Sequence, residues 1–134
     1  ACPVQMVWQH PETVVDPLLR LGTTLSEAGD VEERLKEELH IQEGWMDRFP
    51  SELSGGELQR FCLARALHPG VRFLLCDEIS AMLDLVTQAQ IWQFLLEESK
   101  RRSLGLLVVS HDDSLLEQVC TRIVELPFPS WRIF

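Results

Sequence analysis

Four groups of residues in this chain are of types that handle phosphate and water. The first is Leu53-Ser54-Gly55-Gly56-Glu57, set directly before an apolar run at helical spacing, Leu58, Phe61, Cys62 and Ala66. A hydroxyl residue and two glycines at that point predict a helix whose first amides are uncovered. Such amides lie at the positive end of the helix dipole and suit an anion, and glycine lets that anion approach the backbone closely. The same residues also spell a capping box, Ser54 with Glu57 three positions on, which needs no ligand to explain it. The second group is Phe73-Leu74-Leu75-Cys76-Asp77-Glu78, a short apolar run ending in two carboxylates. It reads as a buried parallel strand with acids at its C-terminal end, where open α/β sheets bind ligands. Asp77 is there placed to hold Mg²⁺, directly or through water, and Glu78 to polarise a water for attack on a phosphate. The third group, Leu106-Leu107-Val108-Val109-Ser110-His111-Asp112, is another strand, with His111 placed to contact a terminal phosphate or position the water. The fourth, Val4-Gln5-Met6-Val7-Trp8-Gln9, ends in a glutamine suited to a metal-bound water or a nucleotide. Each of these three strands also has a plain reading: a solvated acidic turn, a surface histidine, a polar strand end.

The elements that must position these groups follow from periodicity. Pro11 to Ala28 is expected to be helical after a proline-rich start, with Leu18, Leu19 and Leu21 as core candidates. Asp30 with Glu33 reads as a helix cap, and Val31, Leu35 and Leu39 form an apolar stripe. Ile41 to Ser51 is a loop or short helix around Trp45 and Pro50. Gly55 to His68 is a helix stopped by Pro69-Gly70, and Asp84 to Arg102 is a long helix around Ile91, Phe94 and Leu95. Its basic end, Lys100-Arg101-Arg102, suits a helix C-terminus better than nucleic acid. Ser114 to Cys120 reads as a short helix and Ile123 to Leu126 as a last strand.

In order and spacing, the four groups resemble the second part of an ABC-type ATPase, the nucleotide-binding domain of ATP-binding-cassette proteins. The likeness runs from Val4 to about Leu126, nearly the whole chain. It implies a glutamine loop at Gln9, a signature at Leu53, Ser54, Gly55, Gly56 and Glu57, and a Walker B strand ending at Asp77. It further implies a catalytic glutamate at Glu78, a D-loop ending at Leu83-Asp84 and a switch histidine at His111. A finer resemblance is to the ATPase subunits of oligopeptide, dipeptide and nickel importers. It rests on Val4 to Pro11, on Phe49-Pro50-Ser51-Glu52-Leu53, and on Asp84-Leu85-Val86-Thr87-Gln88-Ala89-Gln90-Ile91. There are departures. Ile79-Ser80-Ala81-Met82 stands where Pro-Thr-Ser-Ala is usual, His10 replaces a common acid, and Glu57 replaces the commonest glutamine. None removes a catalytic group.

The resemblance implies an α/β fold, a partial P-loop NTPase core of parallel strands with an α-helical signature subdomain. Within one incomplete domain, 1–134, residues 11–53 would be the helical subdomain, and 1–10 with 54–134 the remaining core. The cofactors implied are ATP and Mg²⁺, with Gln9, Leu53, Ser54, Gly55, Gly56, Glu57 and Asp84 at the nucleotide, Asp77 and Gln9 at the metal, and Glu78 and His111 catalytic. The partners implied are a second ABC ATPase domain and transmembrane permease subunits, at the cytoplasmic face of a membrane. The phosphate-cradling Gly-x-x-x-x-Gly-Lys is not in the sequence, whose only lysines are Lys36 and Lys100. The chain by itself is therefore expected to bind ATP weakly and not to hydrolyse it. It is expected to be a piece of a longer ATPase or a half-domain that supplies its signature to a partner; Ala1 rather than Met points to an artificial boundary or a trimmed tag. The strands of Gln9, Asp77 and His111 should be parallel neighbours. Without a phosphate-loop strand, Leu106 to Val109 should form an apolar edge that invites dimerisation, strand exchange or a rearranged C-terminus.

Composition bounds the alternatives. At 134 residues and 46% apolar, the chain is of single-domain size and not disordered in character. A net charge of −9 argues against a nucleic-acid or anionic-membrane partner. No apolar run reaches membrane-spanning length, and the first residues do not read as a signal peptide. Cys2, Cys62, Cys76 and Cys120 lack metal-site spacing, and Cys62 and Cys76 lie in apolar runs as small core residues of a reducing compartment. A second class of function is a non-catalytic interaction module that keeps the signature lobe for docking. Such a module has no chemical need for Glu78 or His111. A chromosome or DNA-repair ATPase fits worst, because the spacing from Gln9 to Ser54 leaves no room for a coiled-coil insertion.

Overall fold

Runs of Val, Leu and Phe bounded by Pro, Gly and charge form three short strands, β1 (Val4–Val7), β2 (Phe73–Asp77) and β3 (Gly105–Val109). The structure is a computed structural model, and residues 2–125 are described. All three strands are parallel, in the order β1-β2-β3, as the resemblance implies. Val7 lies opposite Cys76 and Cys76 opposite Val108. Because strand side chains alternate faces, Val7, Leu74 and Cys76 share the buried side, whereas Val4, Phe73 and Leu107 on the other side are exposed. Leu107 is 59% exposed on β3, whose single sheet neighbour among the described residues is β2. Among the described residues β3 is thus an edge strand, as expected, with Leu107 exposed and with Leu106 and Val108 packed against the core.

Parallel strands need long crossovers. Between β1 and β2 run α1 (Leu21–Ser26), α2 (Glu33–Glu38) and α3 (Gly55–Ala66); between β2 and β3 runs α4 (Leu85–Arg102). After β3 comes α5 (Asp113–Val119). α4 buries Ile91, Trp92, Phe94 and Leu95 against the sheet side of the core, with Leu35 and Leu39 from α2 and its C-cap and Leu63 and Leu67 from α3 and its C-cap. A second cluster gathers Val15, Leu21, Leu25 and Trp45 around Leu58, Phe61 and Cys62 of α3. α3 thus belongs to both cores. Burial raises the thiols of Cys62 and Cys76 to about 12, which keeps them protonated and inert.

Four sequence expectations need correction. Residues 11–28 are not one helix: a 3₁₀ turn at Pro11–Thr13 and the short α1 are separated by turns around Pro17, whose ring disfavours helix at Asp16. Leu18 is 82% exposed, and Leu21 takes the core place. Asp30 does not cap α2; Glu32 stands at the N-cap and makes no side-chain cap bond. Ile123–Glu125 is not strand, and Leu126 lies outside the described residues. Gly22 has a packing reason: a Cβ there would lie 3.1 Å from the Met46 carbonyl oxygen, so glycine lets α1 close on the 3₁₀ turn Glu43–Asp47.

Charge also joins the layers. Glu98 of α4 has no exposed side-chain surface, and both its oxygens accept from the Arg34 guanidinium of α2 at 2.9 Å. Arg101 and Arg102 stand 3.4 and 3.5 Å from the same carboxylate. Arg102 also donates to the carbonyls of Leu67 and His68 at the end of α3. The basic end of α4 therefore serves a neighbouring helix as well as its own dipole.

Candidate functional site

Parallel strands in register bring their C-terminal ends to one edge. Val7 faces Cys76 and Asp77 faces Val109. Gln9 lies two residues beyond β1, Asp77 ends β2, Glu78 follows it, and His111 lies two residues beyond β3. The four candidates therefore share one edge of the sheet.

Glu78 is the best fixed of them. Its N–H donates to the Val109 carbonyl at 2.9 Å, joining the ends of β2 and β3. Its φ is +50°, a left-handed value that costs a non-glycine residue about 1 kcal/mol or more. That turn swings the carboxylate toward the β3 end, where Oε1 accepts the His111 N–H at 2.8 Å. The His111 Nε2 lies 3.7 Å from the same oxygen, on a ring that is 90% exposed. Glu78, Ser80, Gln88, Trp92, His111 and Leu115 line a cleft of about 350 Å³. A carboxylate anchored by one oxygen beside an exposed imidazole is equipped to hold a water and accept its proton. Among the described residues no cluster of three or more His, Cys, Asp or Glu is placed to hold a metal. Asp77 and Gln9 stand at the ends of adjacent strands and offer a carboxylate and an amide oxygen, the kind and number of protein donors that Mg²⁺ takes when phosphate and water complete its shell.

The start of α3 meets both sequence readings. Ser54 Oγ accepts from the Glu57 N–H at 3.2 Å, and Glu57 Oε1 accepts from the Ser54 N–H at 2.9 Å. The Ser54 backbone bond is the leading cause that holds the Glu57 carboxyl below its usual range. The Leu58 N–H returns to the Ser54 carbonyl. The N–H groups of Gly55 and Gly56 are left without an acceptor among the described residues. A Cβ at Gly55 would meet nothing within 4 Å, and at Gly56 only Leu83 and Thr87 side-chain carbons at 3.6 Å. Neither glycine is required by the chain's own packing. Leu53 is half-buried against the second core cluster.

Asp84 caps α4, with Oδ1 accepting from the Thr87 N–H at 2.8 Å and Oδ2 from its hydroxyl at 3.0 Å. The Thr87 bonds, backbone first, lower its pKa. The segment before it is pinned by Trp92 Nε1 donating to Ser80 Oγ at 2.9 Å, while Met82 is 70% exposed. Gln59 is the residue missed in the sequence. It is buried, and its amide nitrogen reaches the Trp8 and Ile79 carbonyls. The signal was available: Gln59 falls at i, i+3, i+4 and i+7 with Cys62, Leu63 and Ala66, a polar residue on a core-facing stripe.

The profile of the family described as ABC transporter matches residues 3–81, more than half of the chain. This chain belongs to the ABC transporter family. A nickel import ATP-binding protein, NikE, of Rhodospirillum rubrum is 37% identical over 92% of the chain, which spans 49% of that protein. A putative peptide import ATP-binding protein of Brucella abortus is 34% identical over 92% of the chain and is 40% spanned. The chain thus spans about half or less of the length of these ABC relatives. Among solved structures, cbiO1 from Clostridium perfringens, described as part of the ABC transporter complex cbiONQ, superposes with a TM-score of 0.73. It is 21% identical and covers 88% of this chain and 51% of its own. A bacterial ABC transporter cassette in a dimeric structure gives 0.68 at 22% identity, over 86% of this chain and 56% of its own. These structures establish the fold, an ABC ATPase core. Among the described residues no helix is long and apolar enough to cross a membrane.

Proposed function

We propose that this chain is the signature-bearing portion of an ABC importer ATPase, of the nickel or peptide uptake type, and that it completes a nucleotide site in trans. The observation that carries the reading is the pair Gly55 and Gly56. Among the described residues their amides meet no acceptor and their lack of a side chain serves no contact, so the glycines make sense against a ligand from outside. On this reading Leu53, Ser54, Gly55, Gly56 and Glu57 present the helix start to the terminal phosphate of ATP held by a phosphate loop on another segment or chain. Asp77, with Gln9, serves Mg²⁺. Glu78 deprotonates or orients the water, and His111 steadies the transferred phosphoryl group. Asp84 fixes the neighbouring helix start, which places Leu83 beside Gly56. Residues 11–53 form the lobe where permease subunits dock, at the cytoplasmic face of the membrane. ATP hydrolysis would then be coupled to uptake. The names of the 37% and 34% identical relatives support the importer type.

The test separates fold from function. Gly55→Asp places a carboxylate in open space at the first turn of α3, where the dipole favours it, so thermal unfolding should stay put or rise slightly. The same carboxylate stands where phosphate should approach. ATP turnover by the assembled ATPase, with a phosphate loop present, is expected to fall at least about a hundredfold, the lower end of what losing one oxyanion donor costs. Turnover within threefold of wild type would remove Gly55 from the nucleotide site. It would leave the interaction-module alternative in its place.

A further inference from the structure

Gln59 is 1% exposed on the core side of α3. Its Nε2 donates to two carbonyls from different strand-end loops, Trp8 O at 2.9 Å and Ile79 O at 2.8 Å. Trp8 immediately precedes Gln9, and Ile79 immediately follows Glu78. Its Oε1 is buried and has no hydrogen-bond partner among the described residues. An unpaired buried acceptor of this kind costs about 1–3 kcal/mol. Packing alone would favour leucine or methionine at this place, of similar volume and with nothing to satisfy. The nitrogen side must therefore account for the glutamine. What it holds is specific: two carbonyls that share no other hydrogen-bond donor among the described residues, one in the loop of Gln9 and one in the loop of Glu78.

We propose that Gln59 is a positioning residue that yokes the start of α3 to both loops at once. It rests on the functional reading above. Gln59 lies one turn, about 6 Å of helix, beyond Gly55. A helix of this length moves as a rod. A phosphate drawn onto the Gly55 and Gly56 amides pulls on that rod, and Gln59 carries the displacement to the backbone beside Gln9 and beside Glu78. Ile79 is tied a second way, through Ser80 and its bond from Trp92, so the Glu78 loop responds as a unit. The signature helix then sets the catalytic carboxylate without touching it.

The experiment is hydrogen–deuterium exchange on the assembled ATPase, comparing wild type with Gln59→Leu, without and with Mg²⁺–ATP, alongside kcat and KM. The expected result is local. Peptides over Trp8–His10 and over Ile79–Met82 exchange about tenfold faster in Gln59→Leu, peptides over Ile91–Leu95 of α4 do not change, and kcat falls about tenfold with KM within twofold. Should Gln59→Leu fail to fold, Gln59→Met fills the same space without a donor and carries the same expectation. Faster exchange in one loop only, or in neither, overturns the yoke. So does a uniform rise that includes α4, which is what lost packing gives. The functional reading fails separately, if wild type neither turns over ATP nor changes its exchange with nucleotide. In that case the nucleotide-free comparison still decides whether Gln59 holds the two loops together.

Discussion

Replacing Glu78 with glutamine is expected to slow ATP hydrolysis by the assembled ATPase about a hundred- to ten-thousand-fold, the range that a positioned general base contributes. The geometry makes the substitution a clean one. The glutamine side-chain oxygen can still accept the His111 N–H that now bonds Glu78 Oε1 at 2.8 Å. The bond from the Glu78 N–H to Val109 uses backbone only, and so is untouched. What is lost is the capacity to take a proton from water. Nucleotide affinity should therefore stay within about threefold while kcat collapses, because an interaction made only in the transition state leaves KM alone. Single-turnover kinetics with bound nucleotide would separate the two. If Glu78→Gln turned over like wild type, the carboxylate would be a strand-end brace and no base.

The largest effect on stability is expected at the Glu98 cluster. Arg34→Met removes the two 2.9 Å bonds that offset burial of a carboxylate with no exposed surface. Breaking such a pair from one side typically costs about 3–5 kcal/mol, against a total stability of roughly 5–15. The lower end is expected here, since Arg101 and Arg102 remain within 3.4 and 3.5 Å. Arg34→Met combined with Glu98→Leu should recover most of the loss, because no charge is then left stranded. The pH dependence follows from the direction of the shift. Burial works to raise the Glu98 carboxyl, but the Arg34 hydrogen bonds and the three guanidinium charges outweigh it and hold the value below the ordinary 4.5. A carboxyl lowered by folding contributes fully above its unfolded value and loses that contribution as pH falls through its folded value. Urea denaturation should thus show the wild type losing stability below about pH 4.5, with a flatter acid limb in the double variant. Equal acid limbs would mean that Glu98 does not carry this dependence.

Much of the fold and most of the candidate site could be read from sequence, for a physical reason. Strand ends in a parallel sheet are marked by an abrupt change from apolar to charged residues. So Asp77, Glu78 and His111 could be placed before any coordinates. The glycine-led helix start could be placed in the same way, since few residues other than Ser, Gly, Gly and Glu both cap a helix and leave its amides open. The misses have different causes. The break around Pro17 is local, since the proline ring disfavours helix at Asp16, whereas the closing of α1 on the turn Glu43–Asp47 depends on Gly22 against Met46, which local propensity does not contain. The left-handed φ of Glu78 has no sequence mark, because glutamate gives no hint of it. Gln59 and Glu98 were legible only in part. Each is a polar residue on a core-facing stripe, but the partner that holds it most closely lies 20 or more positions away, Ile79 for Gln59 and Arg34 for Glu98.

The central claim is that the open amides of Gly55 and Gly56 close over nucleotide held elsewhere. The most direct measurement is sedimentation equilibrium of the assembled ATPase carrying Glu78→Gln, with and without Mg²⁺–ATP, beside the same protein carrying Gly55→Asp as well. The account predicts a doubling of mass that requires ATP and is abolished by Gly55→Asp. A mass that does not depend on nucleotide, or an ATP-dependent doubling that survives Gly55→Asp, would contradict it.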